Sequence, residues 1–175
     1  MTLAALAPRL LDCFRRPIDY NGFWHIFIAR NLSREWRSPE HPPLFFLLLR
    51  ISDTVSRSVF SYRFWSLAAG VGSVYLVGRL LLRLRCRPAT AAAGAAVMGF
   101  AFNPIRLSNE VESCSVCVLL ILASFAFYLR IAAPEGSVPA RARAAFAALT
   151  SLAIGFHYFA GLYLAACAVA AGCRL

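Results

Sequence analysis

An all-α bundle of transmembrane helices, polytopic and preceded by an interfacial juxtamembrane helix, is what this sequence predicts. Three observations carry that expectation. Hydrophobic residues make up 60% of the 175-residue chain, with a mean hydropathy of +0.65, which is outside the range of soluble domains. Several apolar runs are long enough to cross a bilayer. All 18 basic residues are arginines, giving a formal net charge of +10, and they flank the apolar runs rather than interleave with aromatic residues. That pattern reads as topology signals and contacts with membrane lipids, and it argues against a nucleic-acid partner.

Taken in order, the first fourteen residues contain Pro8, Arg9 and Asp12 within an apolar stretch, so they make neither a signal peptide nor a span. The stretch Glu40-His41-Pro42-Pro43 then opens directly onto Leu44-Phe45-Phe46-Leu47-Leu48-Leu49. Twin prolines stop an upstream helix and preset the first turn of a new one. The run is too short to span, so it is expected to lie in the membrane interface, with the acid and the imidazole at its polar mouth. Four runs follow that are long enough to cross, at about 64–82, 89–105, 113–131 and 146–171; Asn103-Pro104 sits near the end of the second, and the fourth contains His157 and Tyr158. Small residues four apart, as in Ser66/Gly70, Ala69/Ser73 and Gly161/Ala165, suit close helix packing.

The short loops set the orientation. Arg79, Arg83, Arg85 and Arg87 join the first two spans and Arg130, Arg141 and Arg143 the last two, whereas the loop between has Arg106 against Glu110 and Glu112. The positive-inside rule assigns the arginine-rich loops to the cytoplasm and region 1–63 to the outside. Against this, region 1–63 holds nine arginines and five acids and has no span to carry it across, which leads to the expectation of a helix preceding this sequence. Six scattered cysteines show no spacing of a zinc site; only Cys114 and Cys117 are close, and no metal is expected.

Four motifs in order resemble the membrane glycosyltransferases of the C superfamily, the protein-mannosyltransferase-like group (glycosyltransferase family 39 type). They are Asp19 ahead of a helix ending Ile28-Ala29-Arg30, His41-Pro42-Pro43-Leu44, the external turn Ser108-Asn109-Glu110-Val111-Glu112, and His157-Tyr158-Phe159. A crossing with Arg79 at its inner end lies between the second and third. The likeness covers about residues 19–157. Three departures stand out: Asn21-Gly22 occupy the register of the family's Asp-Glu, Glu112 replaces an arginine, and the first membrane helix is missing, as in an amino-proximal portion. The resemblance implies a bacterial inner-membrane, multi-pass enzyme that moves a sugar from a polyprenyl-phosphate donor to an acceptor on the extracytoplasmic face. No cofactor is implied beyond that lipid-linked donor, and sugar, acceptor and divalent-cation dependence stay open. The isolated chain is expected to be inactive.

Such chemistry needs a carboxylate to deprotonate the acceptor and cations to stabilise the departing phosphate. Asp19, beside Tyr20, Phe23 and Trp24, is the candidate catalytic base; the plainer role for it is a helix N-cap. His41, Glu40, Glu110, Arg30 and His157 are the candidate substrate-binding residues. Arg30, Arg34 and Arg37 fall at helical spacing, suited equally to a donor phosphate or to anionic lipid. Glu110 and Glu40 have alternative roles in pairing with helix N-termini, and His157 an alternative role in cavity lining or interhelical bonding. The rival readings are a non-catalytic small multi-span protein, such as a transporter subunit or assembly factor, and a degenerate inactive relative. No internal repeat of the transporter kind is visible.

Overall fold

The computed structural model describes residues 2–35, 42–133 and 139–173, which contain ten α-helices and no strand. They are α1 (Leu6–Arg15), α2 (Tyr20–Arg30), α3 (Leu32–Glu35), α4 (Pro43–Val55), α5 (Val59–Arg83), α6 (Pro88–Phe100), α7 (Phe102–Asn109), α8 (Cys114–Ile131), α9 (Ala140–Phe156) and α10 (Ala160–Gly172). Two of them, α5 and α8, are long and apolar enough to cross a membrane.

Helix α5 is the spine. Its N-cap is Ser58, whose hydroxyl accepts from the Ser61 amide. At its other end the Cys86 amide reaches the Leu81 carbonyl and the Arg85 amide the Leu82 carbonyl, the double closure that needs a left-handed residue; Arg85 fills that place at φ 61°. Pro88 then starts α6, which runs antiparallel to α5 with Val74 against Gly99 and Gly78 against Ala95. Helix α8 runs parallel to α5, as Ser66 near Glu112, Gly72 near Leu119 and Arg83 near Ala126 show. Ser66, Ala69, Gly70 and Ser73 are buried in these contacts, whereas Gly161 faces open space.

The second predicted crossing, 89–105, is two helices. It breaks at Ala101, which takes an extended ψ of 148°. In an unbroken helix the Pro104 ring would collide with the carbonyl four residues back, at Phe100, and remove its hydrogen bond. The chain therefore turns, and α7 packs across α5 and α1.

The fourth predicted crossing, 146–171, is a hairpin. Ser124 meets Thr150 and Tyr128 meets Phe146, so α9 is antiparallel to α8. The same Ser124 meets the Tyr163 hydroxyl and Tyr128 reaches the Cys167 carbonyl, so α10 runs back in the direction of α8. Reversal occurs at 157–159, where the His157 Nδ1 accepts from the Phe159 amide at 3.3 Å and its carbonyl accepts from Ala160. A side chain that bonds its own neighbouring backbone competes with the helix ladder.

The N-terminal helices gather at the end where α5 and α8 begin. Helix α4 starts at Pro43 as its prolines require, but runs on to Val55 and buries Phe45, Phe46 and Leu49 against α2 and α9. Its apolar run is thus largely core rather than a surface laid only on an interface, although Leu47 and Ile51 stay exposed. Helix α1 also leaves the edge: Ala5 packs on Val74 and Ala95, well down the side of α5. Two buried arginines fix it there. Arg9 donates to the carbonyls of Ala5, Gly99 and Met98 at 2.9, 2.6 and 2.9 Å, capping the broken end of α6. Arg63 of α5 donates to Cys13, Arg16 and Pro17 at 2.6, 2.8 and 2.8 Å, capping the end of α1. Cations at helix C-termini meet the negative end of the dipole.

Candidate functional site

Asp19 is the N-cap of α2: its Oδ1 accepts from the Gly22 amide at 2.9 Å, while the residue stays exposed. Gly22 is small for a reason. A Cβ there would lie 2.8 Å from Asp19 Oδ1 and 3.1 Å from the Val111 Cβ, so the helix could not approach the 110–113 turn. His25, one turn further along α2, donates from Nδ1 to the Val111 carbonyl at 2.8 Å and packs edge-on against Phe45. A carbonyl only accepts, which fixes the proton on that nitrogen. Asn21 reaches Glu112 at 3.4 Å, and Ser66 of α5 holds the Glu112 carbonyl at 3.0 Å.

These bonds bring the α1–α2 junction and the α7–α8 turn together. Around the meeting point lie two ion pairs at helical spacing, Asp12–Arg16 at 3.2 Å and Arg106–Glu110 at 3.4 Å. Asn109 of α7 donates to Asp12 at 3.1 Å, joining the two elements. Glu110 follows α7 as its C-cap rather than heading α8, whose own N-cap is Ser113. Burial raises its proton affinity above the usual carboxylate value; the nearby Glu112 and Asp19 add to that, and Arg106 and Arg16 oppose it. The result is a crown of carboxylates differing in burial, flanked by two guanidinium groups. Such a set can accept a proton from a hydroxyl and hold a phosphate.

Asp19 and Glu110 are thus brought together, but the other predicted residues are not in this crown. Arg30 lies at the far end of the eleven-residue α2, roughly 16 Å away along the axis. It is engaged there: Nε donates to Asp53 at 2.8 Å and Nη2 to the Tyr62 hydroxyl at 2.8 Å, while that hydroxyl donates to Asp53. The Tyr62 hydroxyl, and after it Arg30, hold Asp53 below the usual carboxylate range against the opposing effect of burial. Arg30 and Arg34 belong to separate helices, α2 ending at Arg30 and α3 starting at Leu32, with Asn31 between them. Arg37, Glu40 and His41 lie outside the described residues. His157 sits at the α9–α10 turn, half-buried and stacked on Phe159.

Sequence reading missed His25, Asn109 and the Asp53–Tyr62 pair. The spacings Asp12/Arg16 and Arg106/Glu110 signalled the ion pairs; nothing local signalled the rest. Among the described residues no group of His, Cys, Asp and Glu is arranged to hold a metal ion. The chain matches no family model, no curated protein and no solved structure.

Proposed function

We propose that this chain serves a multi-pass membrane glycosyltransferase, moving a sugar from a polyprenyl-phosphate donor to an acceptor on the extracytoplasmic face. The observation that carries this reading is the approach of Asp19 to Glu110, from stretches of sequence 91 residues apart that both resemble motifs of that enzyme class. Asp19, exposed and without an ion-pair partner among the described residues, is the acceptor's base. Arg16 and Arg106 face the leaving phosphate. Glu110, its proton affinity raised by burial, holds a proton more readily than a solvated acid does.

The membrane setting has its own support. Helix α8 has a mean hydropathy of 2.2 with only 22% of its residues fully buried by the rest of the chain, so its many half-buried apolar side chains suit a non-aqueous neighbour. The test is transfer of a radiolabelled sugar from polyprenyl phosphate in vesicles carrying the protein in its full native context. Asp19→Asn should lower turnover about a hundredfold or more while donor binding is kept, given the usual contribution of a general base. Turnover near wild type in that variant would remove Asp19 from the mechanism. Failure of the wild-type protein to bind polyprenyl phosphate would favour the non-catalytic alternative.

A further inference from the structure

At the opposite end of the bundle from the carboxylate crown, α5 and α8 part to form a groove of about 570 Å³. Tyr75, Arg79 and Arg83 line it from one face of α5, at successive four-residue steps, and Arg130 lines it from α8. Among the described residues no carboxylate contributes to its wall. The ion pairs among the described residues engage Arg16, Arg30, Arg57 and Arg106 alone, so no described carboxylate pairs with the three guanidinium groups that line this groove. Two of them are held in position. Arg83 bridges the helices by donating from Nη1 to the Ala126 carbonyl at 2.8 Å, and Arg130 lies 5.8 Å over the Phe127 ring. Converging cations in fixed positions, each with several N–H donors, are the chemistry that recognises phosphate oxygens.

We propose that this groove binds the headgroup of an anionic phospholipid. The inference rests on the membrane reading above but not on sugar transfer. Two features favour a lipid over a soluble anion. The floor between the arginines is apolar, formed by Leu76 and Leu80. Tyr75, Arg79 and Leu82 also edge a second groove, of about 280 Å³, whose other wall is the alanine face of α6 at Ala91, Ala92 and Ala95. A phosphate seated among the arginines has an apolar furrow beside it for an acyl chain. Basic pockets between helices on the arginine-rich side of a membrane protein meet the anionic leaflet there.

The test uses the whole chain in vesicles of phosphatidylcholine with a minor share of phosphatidylglycerol, followed by gentle detergent extraction and native mass spectrometry. Wild type should retain phosphatidylglycerol in preference to phosphatidylcholine. Replacing Arg79 and Arg130 together by Gln, which spares the Arg83–Ala126 bond, should lower that retention by roughly ten- to thirty-fold. The pair Arg85→Gln with Arg141→Gln removes the same charge outside the groove and should leave retention unchanged. Equal losses in the two double variants would overturn the site in favour of diffuse attraction, as would retention unchanged by the Arg79/Arg130 pair. Displacement of the lipid by excess inorganic phosphate would overturn the lipid assignment and leave a soluble-anion site. A wild-type chain that floats with neither anionic nor neutral vesicles would instead refute the membrane reading itself.

Discussion

Arg9 shows how much one side chain decides here. It is fully buried, its ordinary proton affinity is lowered by burial, and no carboxylate faces it among the described residues; its partners are carbonyls and the Ser108 hydroxyl. Arg9→Met should cost about 2–4 kcal/mol, because the carbonyls of Met98 and Gly99 would be left buried and unpaired. Denaturant unfolding in micelles reads this directly, and a loss within a few tenths of a kcal/mol would show that water replaces the guanidinium. Asp53 gives a pH dependence. Its folded-state proton affinity is lowered by Tyr62 and Arg30, so its stabilising contribution is fully present above the unfolded value of about 4 and is lost as pH falls through the folded one. Thermal stability should therefore drop below about pH 4, and Tyr62→Phe should shrink that drop. Asp19 was legible as an N-cap from its position ahead of Tyr20-Asn21-Gly22, and the capping bond is present. Neither buried arginine was legible, because their carbonyl partners lie 90 and about 50 residues away in sequence.

Helix starts were easier to read than helix ends. Pro43 and Pro88 both occupy first-turn positions, where a missing N–H costs nothing. Pro104 was visible too, but a proline breaks the helix ahead of itself, so the run that reads as continuous to 105 stops at Phe100. The end of α5 was read to within a residue, at 82 against Arg83, but its closure was not, since Leu-Arg-Cys-Arg contains no glycine and Arg85 takes the left-handed place. Arg85→Gly should stabilise the protein by up to about 1 kcal/mol, the relief of αL strain being partly offset by the freer unfolded chain. A lowered melting temperature would mean that the Arg85 side chain makes a compensating contact. The reversal between α9 and α10 was hidden because the residues on both sides of His157 are equally apolar. On the hairpin geometry, Tyr158→Cys in a cysteine-free background reacts with an impermeant maleimide from the same side as Tyr20→Cys; on a single crossing of 146–171 it would sit in mid-membrane and resist.

At the scale of the whole molecule, the carboxylates of the crown lie at one end, beside arginines such as Arg16 and Arg106, whereas arginines without ion pairs among the described residues line the groove at the other. Asp12, Asp19, Glu110 and Glu112 collect where α5 and α8 begin, and Arg79, Arg83 and Arg130 where those helices finish. With the Arg79–Arg130 end inside, the protein should label at Tyr20→Cys from intact cells and at Arg85→Cys only after permeabilisation. The reverse result would invert the assignment and move the carboxylate crown to the cytoplasmic face. That the chain is all-helical, with helices apolar enough to cross a membrane, was readable from its apolar runs, because composition is a sum over many residues. The crown itself was only half readable. Proximity of Asp19 to Glu110 depends on Gly22 admitting the Val111 backbone, a contact between residues far apart in the chain.

The two arginine caps also bear on the order of assembly. During synthesis α1 emerges ahead of α6, yet the carbonyls that satisfy Arg9 belong to the end of α6, 90 residues later. Until those carbonyls exist, the cheapest place for its charge is water or the headgroup layer. Helix α1 is therefore seated well after it is made, waiting as a latch that closes over α5 only when α6 has returned and α7 has turned across.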